Sequence, residues 1–313
     1  MSLLRVPAEH QPHAAVWMAW PYREDEWPDL AAAQREVLAF VEAIADTERV
    51  RLLVHPGVEA PAVPEGVDTP RLAYGDCWTR DTGPIFAERD GSQVALVFRF
   101  DGWGGKYRMP GDEDLAARIA AFAGVPSLRH DWVLEGGAVE FDGAGMLLTT
   151  RCVERRNPGR DVEAQLRQAF EVEKVVCLDG ALANDHTDGH IDTLARFVAP
   201  GRVACMVPGP EDPNAGVLQN VRRGLEAAGL EVALLPSPGA VRDGRGRLLP
   251  ASYCNYYLAN AQVLVPTYGV GADEAALEAL AALFPERKVR GISARAIVEG
   301  GGALHCITQQ QPA

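Results

Sequence analysis

The sequence predicts an α/β protein built as a five-bladed, pseudo-symmetric α/β propeller, in which helix, strand, site loop and hairpin recur five times. Three observations predict it. Five segments, 29–45, 112–122, 160–170, 213–228 and 272–284, carry apolar residues at helical spacing among good helix formers. Each is followed by a short strand-like run, at 50–55, 127–133, 172–178, 231–235 and 288–292. A polar or Gly-rich stretch and a hairpin-like pair then follow, so the 313 residues divide into units of roughly 63.

The helices begin near Asp, Glu or Pro, as N-termini should, and several end before Gly or Pro. The second strand-like run, 127–133, is the poorest in apolar residues. The hairpins read 84–87 with 93–100, 138–141 with 146–152, 193–198 with 202–207, and 256–258 with 262–265. Their turns hold Asp90-Gly91, Asp142-Gly143, Pro200-Gly201 and Asn260, residues suited to tight turns. The fifth unit ends after one strand, 303–308, and 14–20 at the other end of the chain supplies the missing partner. Pairing the two termini closes the ring and leaves neither strand with a bare edge. The expected organisation is one catalytic domain over 1–313.

Composition narrows the function classes. Apolar residues are 47% and charged residues 23%, which excludes disordered and fibrous classes. Thirty basic against 43 acidic residues give a net charge of −13, with no Lys/Arg block, so nucleic acid is not an expected partner, whereas small cations are. No apolar run is long enough for a membrane span, and the N-terminus lacks the apolar region of a secretory signal, so a cytoplasmic location is expected. Cys77, Cys152, Cys177, Cys205 and Cys254 sit in apolar or strand-like runs without a C-x-x-C pair and read as buried, reduced thiols.

The loops before the hairpins carry matched polar residues. They include Trp78-Thr79-Arg80-Asp81, Glu135-Gly136-Gly137, His186-Thr187-Asp188-Gly189-His190-Ile191-Asp192, Ser252-Tyr253-Cys254-Asn255 and Gly300-Gly301-Gly302-Ala303-Leu304-His305-Cys306. Asp81, Glu135, His190, Asn255 and Cys306 follow one another at intervals of 51 to 65 residues. Equivalent places in a ring converge on its axis, so carboxylates, a histidine and a thiol are expected in one central pocket. If 191–198 is a strand, His190 and Asp192 share a face. By the same parity His305 and Cys306 point apart, which makes His190, across the pocket, the better base for Cys306. The Gly300–Gly302 run lets backbone approach a ligand or a neighbouring strand closely.

On these motifs, with Trp17-Met18-Ala19-Trp20-Pro21, Asp81-Thr82-Gly83-Pro84, Asn255-Tyr256-Tyr257 and Cys306-Ile307-Thr308-Gln309-Gln310, the chain resembles the agmatine deiminase and bacterial peptidyl-arginine deiminase family of guanidine-modifying enzymes. The resemblance spans nearly the whole chain and implies the pentein fold, a five-bladed propeller, with no cofactor and no metal. It implies Cys306 as nucleophile, His190 as general acid and then base, Glu135 as the group that orients His190 or touches the guanidinium, and Asp81 and Asp192 as guanidinium clamps. Those residue types suit the chemistry: carboxylates match the fork of a guanidinium, a thiolate attacks its central carbon, and an imidazole exchanges protons near neutrality. Trp78, Asp188 and Asn255 join Asp81 and Asp192 as candidate substrate contacts.

Agmatine is the expected substrate, giving N-carbamoylputrescine and ammonia through a covalent thiouronium on a route to putrescine. Free arginine and peptidyl arginine are the alternatives with the same chemistry. Asp188, Asp185 and Glu24 are available acids for the distal amine of agmatine, and Arg80 and Arg196, beside the motifs, are the residues that could favour a carboxylate instead. Two rival readings differ in kind. His186-x-x-x-His190-x-Asp192 could be the ligand set of a metal-dependent amidohydrolase, although Gly189 and the run after it favour loop then strand over the helix such a pair needs. A propeller that binds a cation without catalysis is the other. A homo-oligomer is possible on this reading, with no residue that specifies it.

Overall fold

The computed structural model describes residues 4–313. Five small sheets each carry a helix between their last two strands. Chain order around the ring begins with His13–Ala19, helix Leu30–Ala45 and Val50–Leu53. The second sheet holds Leu4–Arg5, Ile85–Arg89, Ser92–Arg99 and Ser127–Val133, with helix Leu115–Ala123. The third holds Val139–Phe141, Met146–Thr150 and Lys174–Leu178 with helix Val162–Phe170, and the fourth Ala195–Ala199, Arg202–Val207 and Glu231–Pro236 with helix Ala215–Ala227. The fifth holds Tyr257–Leu258, Gln262–Thr267 and Lys288–Ser293 with helix Asp273–Leu283.

In every sheet an antiparallel pair is followed by a parallel one. A parallel return needs a crossover, and the helix is that crossover. The structural blade is therefore hairpin, helix, strand, and the polar loop after it crosses to the next blade. That phase differs from the sequence unit and is what carries one loop per blade toward the axis.

Local chemistry explains the helices. Asp29 and Asp161 cap two of them by accepting from Ala32 N at 2.8 Å and Ala164 N at 3.0 Å. Helix Leu30–Ala45 buries Ala33, Val37, Phe40, Val41 and Ile44, the 3.6-residue stripe visible in the sequence, in the same apolar cluster as Val50, Leu52 and Leu53. Each such side chain contributes about 1.5–3 kcal/mol when fully buried. Ser127–Val133 forms its strand despite its polarity, because its parallel pairing with Ser92–Arg99 needs backbone groups alone.

The ring closes through its termini. Gln309–Pro312 runs antiparallel to His13–Ala19, with Gln309 opposite Trp17, and Trp17 Nε1 donates to Gln311 Oε1 at 3.1 Å. Asn260 then ties the fifth blade to the first by accepting from His13 N at 2.8 Å and donating to His13 O at 3.0 Å. The closing strand begins at Gln309, not within 303–308, which forms turns instead. Ile191–Thr193 is a single 3-10 turn, and its strand starts at Ala195. With turns at both places, strand alternation sorts neither His190 and Asp192 nor His305 and Cys306 onto faces. The strand expected over 146–152 stops at Thr150, and Cys152–Arg156 is a short helix. Cys77, Cys152, Cys205 and Cys254 are buried free thiols, but Cys177 is exposed. Among the described residues no helix is long and apolar enough to cross a membrane.

Candidate active site

Each inter-blade loop ends near the axis in a short turn, and each candidate catalytic side chain sits three to five residues before the next strand. The turns are Thr79–Thr82, Gly136–Ala138, Ile191–Thr193 and Tyr253–Asn255; in the last loop the turn over 304–307 takes this place. A turn, unlike a strand, presents neighbouring side chains to one side. That is why His190 and Asp192 converge without strand parity, and why His305 and Cys306 both reach Asp192, at 2.7 Å and 3.6 Å from its Oδ2. Asn255 Oδ1 holds this last turn in place, accepting from His305 N at 3.0 Å and Cys306 N at 3.3 Å.

The five expected catalytic residues meet. Gly137 marks the crossing point: a Cβ there would lie 2.6 Å from His190 Nδ1, 2.9 Å from Asp81 Oδ1 and 3.2 Å from Asp192 Oδ2. Asp81 accepts from Gly137 N at 2.9 Å and from the Trp103 indole at 2.8 Å. His190 Nε2 lies 3.3 Å from Glu135 Oε2, and its Nδ1 lies 3.5 Å from Asp81 Oδ1. Glu135 is held from behind by Arg156 Nε at 2.8 Å.

Charge and burial set the protonation states. Burial opposes the charge on His190, but Asp81, Glu135 and Asp192 outweigh it and raise its pKa to about 9. Burial, then Asp192 and Asp81, push the Cys306 thiol well above its ordinary range. Burial also raises Asp81, with His190 pulling the other way. For Asp192 burial is outweighed by the His305 hydrogen bond and charge, and for Glu135 by the His190 hydrogen bond and charge together with Arg156, so both carboxyls lie below their usual values.

Above these groups opens a cavity of about 480 Å³, whose wall reaches Cys306 and Asp81. Trp78, Trp27, Trp103 and Tyr107 supply its aromatic surface, and Asp25, Glu26, Asp76, Asp81, Asp243 and Glu299 its acids. Trp78 stacks on Trp27 at 5.7 Å and donates its indole N–H to Asp76 at 2.7 Å. Gly302 permits the approach of Trp78 to the thiol, because a Cβ there would lie 2.7 Å from the Trp78 ring and 3.0 Å from Cys306 Sγ. Gly301, at φ +110°, packs where a Cβ would lie 2.5 Å from His186 Nδ1.

Three expected substrate contacts lie off the cavity wall: Asp192, fully buried beside Cys306, and Asp188 and Asn255, which sit elsewhere. Asp188 does not line the cavity and is neutralised by Lys106 at 2.6 Å and Arg156 at 2.7 Å. Asn255 lies behind Cys306 and donates to its sulfur at 3.1 Å. Asp185 caps its own loop through Thr187 N and Gly189 N, and Glu24 is not on the cavity wall. Arg80 and Arg196 turn away from the cavity toward Glu9, whereas Arg245 and Arg247 line it, Arg247 paired with Asp243 at 3.1 Å. His186 stacks on Tyr107 rather than joining His190, and among the described residues no group of three or more His, Cys, Asp or Glu is arranged to hold a metal. Sequence reasoning missed Trp103, Arg156 and Glu9. Trp103 carried a signal in the Gly102 and Gly104-Gly105 that flank it, which suit the positive φ of +53° it adopts in the structure.

Five sheets that each send an inter-blade loop to one axis, with a thiol, an imidazole and carboxylates meeting there, define the guanidine-modifying propellers. A dimethylarginine dimethylaminohydrolase shares this fold at a TM-score of 0.60 and 13% identity, over 95% of this chain and 99% of that one. The chain belongs to the Porphyromonas-type peptidyl-arginine deiminase family, which matches residues 5–312. A Marinomonas sp. protein, provisionally named an agmatine deiminase, is 35% identical over 347 residues, covering 98% of this chain and 94% of the relative. The agmatine deiminase of Enterococcus faecalis superposes with a TM-score of 0.92 at 30% identity, over 99% of this chain and 96% of that one. A Cys-to-Ser form of the C. jejuni agmatine deiminase with substrate bound gives 0.92 at 26%, over 100% and 97%.

Proposed function

We propose that the protein hydrolyses agmatine to N-carbamoylputrescine and ammonia. The observation that carries this reading is the meeting of Cys306, Asp192, Asp81, His190 and Glu135, of which Cys306 and Asp81 reach the wall of a cavity lined by acids and tryptophans while the other three are buried behind them. Asp81 and Asp192 hold the guanidinium, and its positive charge offsets the two carboxylates that keep the Cys306 thiol protonated. With the cation bound the thiol gives up its proton to solvent, and the resulting thiolate attacks the central carbon. Cleavage of one C–N bond expels ammonia, which takes its proton from His190, and leaves a thiouronium on Cys306. Water adds to that carbon as His190 accepts one of its protons; the C–S bond then breaks, the adduct's hydroxyl proton passes to the departing sulfur, and the urea is released with the Cys306 thiol restored. Glu135, held by Arg156, keeps His190 oriented and supports its charge.

The acids on the outer wall favour agmatine. Asp25 and Glu26 share Arg23 and Glu299 pairs with Arg295, but on the wall Asp25, Glu26, Asp76, Asp81, Asp243 and Glu299 outnumber Arg245 and Arg247, so a distal ammonium meets a net anionic surround, and the tryptophans pack on the chain between the two cations. The α-carboxylate of arginine would meet those same acids. The assay compares ammonia release from agmatine, arginine and a blocked arginine peptide. Agmatine should lead, and arginine or the peptide leading would move the assignment within the same chemistry. The proposal includes one catalytic domain over 1–313, supported by residues from all five loops at one site, and a cytoplasmic location, supported by six unpaired cysteines.

A further inference from the structure

His305 has no part in the reaction above, yet it is buried against the nucleophile at 1% exposure. Each of its ring nitrogens faces a carboxylate oxygen, Nδ1 to Asp192 Oδ2 at 2.7 Å and Nε2 to Glu9 Oε2 at 2.7 Å. An ionised carboxylate only accepts, and a neutral imidazole has a single N–H to give. Glu9 is surrounded by donors besides: Arg196 Nη2 at 2.7 Å and Leu258 N at 3.0 Å donate to it, and Arg80 Nη2 lies 3.6 Å away. Arg196 and its neighbours hold Glu9 ionised against burial. Asp192 is equally one-sided. Its Oδ2 is engaged by His305, while its Oδ1 is buried and has no partner.

We propose that His305 is a doubly protonated positioning residue, and that the chain Glu9–His305–Asp192 pins one oxygen of Asp192 so that the other stays free for the substrate guanidinium. The terminal torsion of an aspartate is broad, so a carboxylate with no such anchor exchanges its two oxygens. Burying a polar atom unpaired costs about 1–3 kcal/mol, a cost that an arriving guanidinium N–H removes. Glu9 lies in the N-terminal segment and His305 in the last loop, so the ring closure that joins the chain ends also aligns the clamp. The kinetic consequence rests on the proposed deimination, while the protonation state of His305 does not.

The test reads both. In ¹⁵N spectra of the full chain at about pH 8, where an ordinary imidazole is neutral, both ring nitrogens of His305, assigned by their loss in His305→Gln, should carry protons. One bare nitrogen overturns the proposal. Glu9→Gln keeps the shape and one acceptor oxygen, enough for either Arg196 or Leu258 N, and removes the second carboxylate. It should turn His305 neutral and lower kcat/KM for agmatine at least tenfold. A Glu9→Gln enzyme that keeps the imidazolium signature and turns over within threefold of wild type also overturns it. Should Glu9→Gln fail to fold, the wild-type spectrum decides alone. Failure of wild type to release ammonia from any guanidine would defeat the deiminase reading, and the wild-type spectrum would still decide the protonation of His305.

Discussion

Gly137 and His190 stand so close that a single added methyl group has no room, since a Cβ on Gly137 would sit 2.6 Å from His190 Nδ1. The same methyl would press on Asp81 Oδ1 at 2.9 Å. Gly137→Ala should therefore disturb the proton donor and one clamp together, with a loss of about a hundredfold or more in kcat/KM. Steady-state ammonia release measures it. Activity within threefold of wild type would show that the site tolerates a shift of its central imidazole.

The same glycine shows what is legible in the amino-acid sequence. Its motif is visible as Glu-Gly-Gly, and the repeat places it opposite His190, but the contact between them depends on a turn geometry that spacing does not encode. Five helices and the hairpins are readable because apolar periodicity and turn residues are local signals; the pairing of the chain ends is readable too, but not its C-terminal strand, which is Gln309–Pro312 and not 303–308. The turns at 191–193 and 304–307 look like strands in sequence because short apolar runs fit both. Asp188 shows the limit of reading charge from sequence: its partners Lys106 and Arg156 are 82 and 32 residues away. Glu9 is invisible for the same reason, being joined to His305 only by the closure of the ring.

Cys306 is the one cysteine on the cavity wall. Cys306→Ser should abolish ammonia release and leave the thermal midpoint within a few degrees of wild type. Replacing Cys77, Cys152, Cys177, Cys205 or Cys254 should affect stability at most. The paired measurements are activity and Tm for all six variants.

Asp192→Asn and Asp81→Asn keep size and remove charge. Each should lose about a hundredfold or more in kcat/KM for cationic guanidines, about 2.7 kcal/mol. If both variants stayed within threefold of wild type, the clamp assignment would fail.

His190 carries the pH dependence. Its pKa is raised to about 9, above the ordinary value of about 6.5, so its stabilising contribution is complete below about 6.5 and lost as pH rises through 9. Tm should fall over that window more steeply in wild type than in His190→Gln. As the donor to departing ammonia, protonated His190 also sets the basic limb, so kcat/KM should decline above about pH 9. A rate still climbing past pH 10 would remove His190 from that role.

Substrate preference follows from the acids on the cavity wall. The ratio of kcat/KM for agmatine over arginine, at one pH and ionic strength, should exceed about 100, or about 2.7 kcal/mol of discrimination. Arg245 is the residue whose removal tests the opposite case. A ratio near one that rose in Arg245→Ala would show that an α-carboxylate is accommodated.

Covalent deimination at Cys306 is tested most directly by acid-quenching wild-type enzyme during turnover of agmatine and weighing the intact protein. A species heavier by agmatine less ammonia, mapped by proteolysis to the peptide containing Cys306 and absent from Cys306→Ser, is the result expected. Steady ammonia release with no such adduct on Cys306, or undiminished release by Cys306→Ser, would contradict it.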